Sequence, residues 1–344
     1  MSFKRFDPED ITISAESIVA PAWSNQQSTL TSFFTSPSQI SSLAGTYYYE
    51  VYQTGSTVSG ASTQFSLAYG NRKGSGSDAF DSGIPDKTPS KTIYGQYRTL
   101  LNGDEDSDFV FGTTTPDSIF VISVNRSKFK ERLLPGTFTL KLGSSNGTLT
   151  LTDNSRVVST VSYTDAGRVF DIVSGSAGTV FTGNTTTGIT PNSGSYGKLY
   201  PDVGVIILNG DALKGDFSNS KGLGISINET TSGTYTGISN YNLKTGFGMI
   251  VSGSNFTLQS EETVTSNYVF VRVRNSEFNY STNPSNITGS GELRHDVMIN
   301  SPQAFITTVG LYNDNNDLLG VAKLSKPLVK DFTDEALLRI KLDY

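Results

Sequence analysis

No cysteine occurs in the chain. Disulfide staples, thiolate metal ligands and thiol nucleophiles are therefore excluded, while the redox compartment is left open. There is a single histidine, His295, in GSGELRHDV beside Asp296 and close to Arg294. Without a second histidine or a thiol the chain lacks a typical zinc ligand set or a Cys–His nucleophile, and nothing near His295 announces the support that a Ser–His–Asp triad needs. His295 reads as a structural or interface residue. Charge is sparse as well: 17% of residues are charged, acidic side chains outnumber basic ones 32 to 26, the net charge is −6 and the pI is near 4.9. A chain of that balance has no overall basic footprint for a phosphate backbone, so nucleic acid is not expected as the main partner. Long apolar runs are missing too. The longest clean one, residues 205–208, is far short of a membrane span, and the start MSFKRFDPEDITIS lacks the apolar core of a signal peptide. The expectation is a soluble protein made in the cytoplasm, with no membrane insertion.

What is present is aromatic and polar. Apolar residues make up 35% of the chain, and 20 Phe, 16 Tyr and one Trp are among them; each such ring buries about 150–250 Å². With a surface rich in Ser, Thr, Asn and Gly, this composition fits an all-β class, mainly antiparallel β-sandwich-like domains with long loops and one or two short helices. The strongest local pattern is at the end of the sequence. Ala336, Leu338, Ile340, Leu342 and Tyr344 alternate with Leu337, Arg339, Lys341 and Asp343, the period of a half-buried strand. Such a strand must be paired into a sheet, within the subunit or with a neighbour, since unpaired backbone groups invite partners.

Along the chain four segments are expected. Residues 1–43 form an N-terminal arm, whose Trp23, Phe33 and Phe34 anchor it either to its own core or to another subunit. Residues 44–143 form a β domain with strands at TYYYEVYQ, TQFSLAYG, TIYGQYRTLL, DFVFG, SIFVISV and TFTLKL. One helix is predicted there over 126–134, capped by Asn125 and stopped by Pro135-Gly136. Residues 144–255 are a Gly/Ser/Thr/Asn-rich β insertion or second β domain, with short strands such as GTLTLTD, VFDIVSG, VGVIILNG and KGLGISIN and no long periodic segment. Residues 256–344 form a C-terminal β-sheet module. No solenoid or propeller repeat is present.

Candidate chemistry is thin. Asp104, Asp106 and Asp108, and again Asn313, Asn315 and Asp317, place oxygen side chains at alternate positions. Neither run has the glycine or the closing glutamate of a calcium loop, so both read as acidic turns between strands. The loop 70–77, GNRKGSGS, carries Arg72 and Lys73 and could seat an anion, but it fits no phosphate-binding spacing and reads as a hairpin or interface loop. Glu261 and Glu262 are adjacent, so in a strand they point to opposite faces and cannot act as paired glycosidase carboxylates; one of them could salt-bridge outward to a partner. Arg272 and Arg274 in YVFVRVRNSEF share one strand face and suit a carboxylate-bearing neighbour. No catalytic residue, cofactor or metal is expected.

Several motifs carry a resemblance. KRFDPEDITISAESI, TIYGQYR, VNRSKFKERLLPG, GSYGKLYPDVGVIILNG, LQSEETVTSNYVFVRVRNSEFNYSTNPS, GSGELRH and ITTVGLYNDNNDLLGVAKLSKPL resemble virion structural proteins of contractile-tailed, T4-like bacteriophages, most closely those infecting cyanobacteria. The resemblance is nearly end to end and weakest over residues 214–255. It implies a non-enzymatic particle component, most closely a baseplate subunit of the tail, whose partners are other virion subunits in a symmetric assembly. A receptor- or glycan-binding fibre-associated protein and a neck or capsid component are the alternatives. The candidate interface comprises Phe3, Phe6, Trp23, Arg272, Arg274, Glu277, Arg294, His295, Asn313, Asp314 and Tyr344.

Overall fold

The structure is a computed structural model that describes residues 4–36, 47–77, 88–181, 196–215, 222–229, 241–281 and 283–343. Phe3 and Tyr344 lie outside the described residues. The chain divides into two units, a larger one of residues 18–262 and a smaller one built from residues 1–17 and 263–344. The strands are β1 (Ile11–Pro21), β2 (Thr29–Leu30), β3 (Tyr48–Tyr52), β4 (Thr63–Asn71), β5 (Ser118–Val124), β6 (Arg132–Leu133), β7 (Thr139–Ser144), β8 (Gly147–Asp153) and β9 (Ser162–Thr164). They continue with β10 (Gly167–Ser176), β11 (Thr179–Val180), β12 (Gly197–Tyr200), β13 (Val205–Asn209), β14 (Asn255–Thr257), β15 (Gln259–Val273), β16 (Gln303–Tyr312), β17 (Leu318–Asp331) and β18 (Ala336–Asp343). Helices are α1 (Pro89–Asn102), α2 (Gly210–Lys214), α3 (Tyr241–Gly253) and α4 (Val297–Asn300). The class is all-β, with antiparallel ladders in both units.

In the larger unit one sheet runs in the order β2-β14-β7-β8-β10-β12-β13-β5-β4-β3. Strands from residues 44–143 and from 144–255 thus share it. Residues 119–122 of β5 and 205–208 of β13 are hydrophobic without interruption because both faces are covered. Phe120, Ile122, Ile206 and Leu208 enter one apolar cluster, and Ile119, Val121, Val205 and Ile207 enter a second. Alternation along β5 and β13 therefore sorts side chains between two cores, where a one-sided sheet would sort them between core and water. Helix α3 supplies Leu243, Met249 and Ile250 to the first cluster, and α1 supplies Tyr94 and Leu101 to the second. Gly246 lets α3 approach closely, since a Cβ there would lie 2.8 Å from the Phe120 ring. Trp23 closes the first cluster. It is 3% exposed, its ring meets Phe256 at 4.8 Å, and its indole N–H donates to the Phe256 carbonyl at 2.9 Å.

Several sequence expectations give way here. TIYGQYRTLL forms most of α1, not a strand. Thr88 caps it by accepting from the Lys91 N–H, Pro89 takes the first turn, and Gly103 ends it at φ 70°. DFVFG forms no strand, only an isolated bridge between Phe111 and Thr114. Its rings are buried in the second cluster instead, with Phe109 edge-on to Tyr94 at 5.4 Å. The helix expected over 126–134 is a single 3-10 turn, Arg126–Lys128, which Asn125 does cap. Beyond it the chain is extended, and Arg132–Leu133 pairs with β15; sheet pairing and burial of Phe129 and Leu133 outweigh the weak propensity of so short a run. KGLGISIN forms no strand over its described residues 222–228, and the stretch with no expected periodicity holds α3.

The smaller unit is built on the pairing of β15 with β18, eight residue pairs from Ser266↔Asp343 to Val273↔Ala336. The closing strand is thus paired within the chain. β1 lies on the other side of β15, giving the order β1-β15-β18. β16 and β17 form a separate two-stranded hairpin. The apolar cluster of this unit has three buried members, Val269, Leu311 and Ile340, flanked by Phe6, Val271, Val309 and Ala322.

Candidate functional site

Within the smaller unit the register decides which side chains face out. Val269, Val271 and Ile340 turn to the cluster, so Tyr268, Phe270 and Arg272 stand opposite Lys341, Arg339 and Leu337 on the other face. Arg272 is exposed there, as the sequence pattern predicts. Arg274 does not share the strand with it. β15 ends at Val273, and the Arg274 N–H donates to the Glu277 carboxylate at 2.9 Å in the turn that follows. Glu277 also receives the Lys4 ammonium at 3.1 Å, and Lys4 donates in addition to the Arg272 carbonyl. The backbone bond from Arg274, and after it the one from Lys4, hold the Glu277 carboxyl below its ordinary pKa. Lys4, Arg272, Arg274 and Glu277 are therefore a local clasp that pins the start of the chain to the end of β15.

Beside this clasp lies a cleft of about 840 Å³. Phe6 and Val271 line its apolar part, Tyr280 and Tyr312 bring rings, and Asp314 and Asn316 bring polar groups from the β16–β17 turn. Asn313 also lines it, but its side chain is occupied: Oδ1 accepts the N–H groups of Asn315 at 3.0 Å and Asp317 at 2.7 Å. That geometry is an Asx-type turn between two strands, as the spacing suggested. Asp314 is left exposed. Under the hairpin sits Lys330, which is 0% exposed. Its ammonium donates to the Asn275 carbonyl at 3.1 Å, to Asn279 Oδ1 at 2.7 Å and to the Asp331 carbonyl, so a buried cation ties β17 to the loop after β15. No sequence pattern singled out Lys330, because its neighbours read as an ordinary alternating strand.

The other candidates separate. Arg294 and His295 are both exposed in the turn before α4; the Arg294 N–H donates to the Asn286 carbonyl at 2.9 Å and the His295 carbonyl accepts from Met298 at 3.1 Å. Neither is brought to the cleft. Trp23 is a correction: as a core residue of the larger unit it offers no surface to a partner. Glu261 and Glu262 each have an ion-pair partner in the same chain, Arg132 for the first and Lys130 for the second, each at 2.7 Å. In the larger unit Arg72 of the 70–77 loop pairs with Asp108 at 2.8 Å and Asp117 at 2.6 Å, and Lys73 also reaches Asp117 at 2.6 Å. Burial pushes the Asp117 carboxyl up, but the bonds from Lys73 and Arg72 outweigh it and hold the group below the usual range. The cations of that loop thus serve carboxylates of the same chain. Asp104 and Asp106 follow α1 and do not lie between strands; Asp104 Oδ1 accepts the Asp106 N–H at 2.8 Å.

Among the described residues no group of three or more His, Cys, Asp or Glu side chains could hold a metal ion, and no helix is long and apolar enough to cross a membrane. What sets the smaller unit apart is its bare apolar surface. Ile13 and Leu319 are each 71% exposed, Phe305 is 62% exposed and Leu337 60%. Phe305 and Val329 face each other across the hairpin, both open to water. No family model matches this chain, and neither a curated protein nor a solved structure matches it.

Proposed function

We propose that the chain is a non-enzymatic structural subunit of a bacteriophage virion, placed in the baseplate of a contractile tail, and that it assembles through its amino-terminal arm and carboxy-terminal sheet. One observation carries the assembly part: a unit whose apolar cluster has three buried members leaves Ile13, Phe305, Leu319 and Leu337 in water. Large exposed apolar surface of this kind marks contact with another macromolecule. The strand edges agree, because among the described residues β1 and β18 each pair on one side only. The phage part rests on the sequence resemblance. Cryo-electron microscopy of purified particles tests both parts: density for this chain in the baseplate is expected, and its absence from the virion would end the proposal. Removal of residues 335–344 should abolish incorporation, and normal particles from that deletion would rule out the closing sheet as an assembly element.

A second reading, receptor or glycan binding, draws on the cleft, where Tyr280 and Tyr312 stand near Asp314 and Asn316. Aromatic rings with a few polar groups are a common lining of small-ligand sites. Glycan-array binding by the purified chain, lost on replacing Tyr280 and Tyr312 by alanine, would favour it over a purely structural role.

A further inference from the structure

We infer that the cationic outer face of β15 and β18 seats the acidic amino-terminal arm of a second copy of this chain. The inference rests on the reading of the protein as an assembling subunit and names the contact. The ladder between the two strands gathers Arg272, Arg339 and Lys341 on the face turned away from the apolar cluster. Three cations on one small face repel one another unless anions come to them. Their own chain supplies little. Among the described residues the Arg272 guanidinium has no ion-pair partner, Arg339 lies over the Tyr268 ring at 5.2 Å, and Lys341 alone feels carboxylates, Asp343 at 3.3 Å and the charge of Glu16 on β1.

The complementary charge lies in the arm. Asp7, Glu9 and Asp10 fall within one short stretch, and none has an ion pair among the described residues. The Asp10 carboxylate accepts the Asp7 N–H at 3.1 Å and the Asp7 carbonyl accepts the Asp10 N–H at 2.9 Å, which holds the 3-10 turn Pro8–Asp10 in a set shape. Immediately after it Ile11 and Ile13 stand exposed. On the receiving face Leu337, opposite Arg272, is exposed as well. Each partner thus presents charge next to an apolar contact, with opposite sign.

In its own chain β1 of the arm lies beside β15 and brings the charge of Glu16 to bear on Lys341, but Asp7, Glu9 and Asp10 make no ion pair with this face among the described residues. Phe6 packs against the cluster on the opposite side of the sheet, and Lys4 is held by Glu277. A second copy supplies the missing anions. Each chain has one arm and one such face, so the contact is head-to-tail and propagates into a ring if the rotation closes.

The test uses the full chain. Sedimentation velocity across protein concentrations up to about 1 mM, at low and high NaCl, should show self-association that weakens as salt rises. R272E/R339E and D7K/E9K/D10K should each lower the association constant by about tenfold or more, and mixing the two variants should restore association. Circular dichroism and a thermal transition check that both variants fold; if the arm variant does not, E9K alone carries that arm of the test. A wild-type chain that stays monomeric throughout overturns the inference. So does association that ignores salt and both reversals, or cross-linking of the Arg272 face to a different acidic protein in intact particles. That last result would leave the virion proposal standing, whereas charge-dependent self-association by a chain absent from virions would remove the virion proposal and keep this contact.

Discussion

The two units of this chain treat their apolar residues in opposite ways. In the larger unit strands such as β5 and β13 are buried on both faces, two clusters fill the space, and even the single tryptophan is used inside. In the smaller unit longer strands surround a cluster of three buried residues, and many of their large side chains face water. The difference teaches where stability comes from in each. The larger unit draws it from its own core, at roughly 25 cal/mol per Å² of apolar surface removed from water. The smaller unit keeps much of that surface uncovered, so a partner can stabilise it by covering what folding alone does not.

That contrast is open to experiment, beginning with the largest effect. Trp23→Ala removes a ring packed against Phe256 and Phe65 and should destabilise the larger unit by about 3–5 kcal/mol, read from urea unfolding by circular dichroism; a loss under 1 kcal/mol would mean that the ring is not the anchor its burial indicates. Lys330→Ala removes the ammonium that bonds the Asn275 carbonyl and Asn279 Oδ1 and should cost the smaller unit about 1.5–3 kcal/mol. Hydrogen exchange should then rise in 275–279 and β17 while the larger unit stays protected. Thr88→Ala removes the cap of α1 and should cost about 0.5–2 kcal/mol, with faster exchange confined to the first turn of that helix.

Acid should act mildly on the clasp in the smaller unit. Glu277 has a folded pKa below its unfolded value, so its contribution is present above the unfolded pKa, about 4.3, and is lost as pH falls through the folded one. Stability of the Lys4–Glu277 clasp should therefore be flat near neutrality and decline only below about pH 4, and Glu277→Gln should remove that decline. Leu337→Ser should have the smallest effect on the isolated chain, within about 0.5 kcal/mol, because the side chain is already in water. Its effect on incorporation into particles should be large by comparison, and equal indifference in both assays would erase the proposed distinction between the units.

Much of the fold was legible in the sequence wherever period-2 alternation was strong. Residues 336–343 and the segments that became β4, β7 and β8 are strands as their alternation predicts, and β5, β10 and β13 are strands as their short runs of β-branched and aromatic residues predict. TIYGQYRTLL failed as a strand because Tyr and Thr favour pleated surfaces on average, while Thr88-Pro89 before it and Gly103 after it carried the helical signal. α3 was hidden by its glycines. They lower helix propensity, yet at Gly246 the missing side chain is what admits the Phe120 ring. At the candidate surface, the exposure of Arg272 followed from alternation alone. The fates of Trp23, Glu261 and Lys330 did not, because each depends on a partner distant in sequence: Phe256, Arg132 and Asn275.

The division of the chain also orders events in time. The smaller unit draws on residues 1–17 and 263–344, with the whole larger unit encoded between them. During synthesis the arm leaves the ribosome first, yet β15 and β18, its neighbours in the sheet, come last. The larger unit can complete its core while the arm still has no sheet to join. Long-range pairing of this kind is slow to close, and here the delay falls on the unit that leaves Ile13, Phe305, Leu319 and Leu337 in water. A chain built in this order completes its exposed apolar face only after the larger unit has been made.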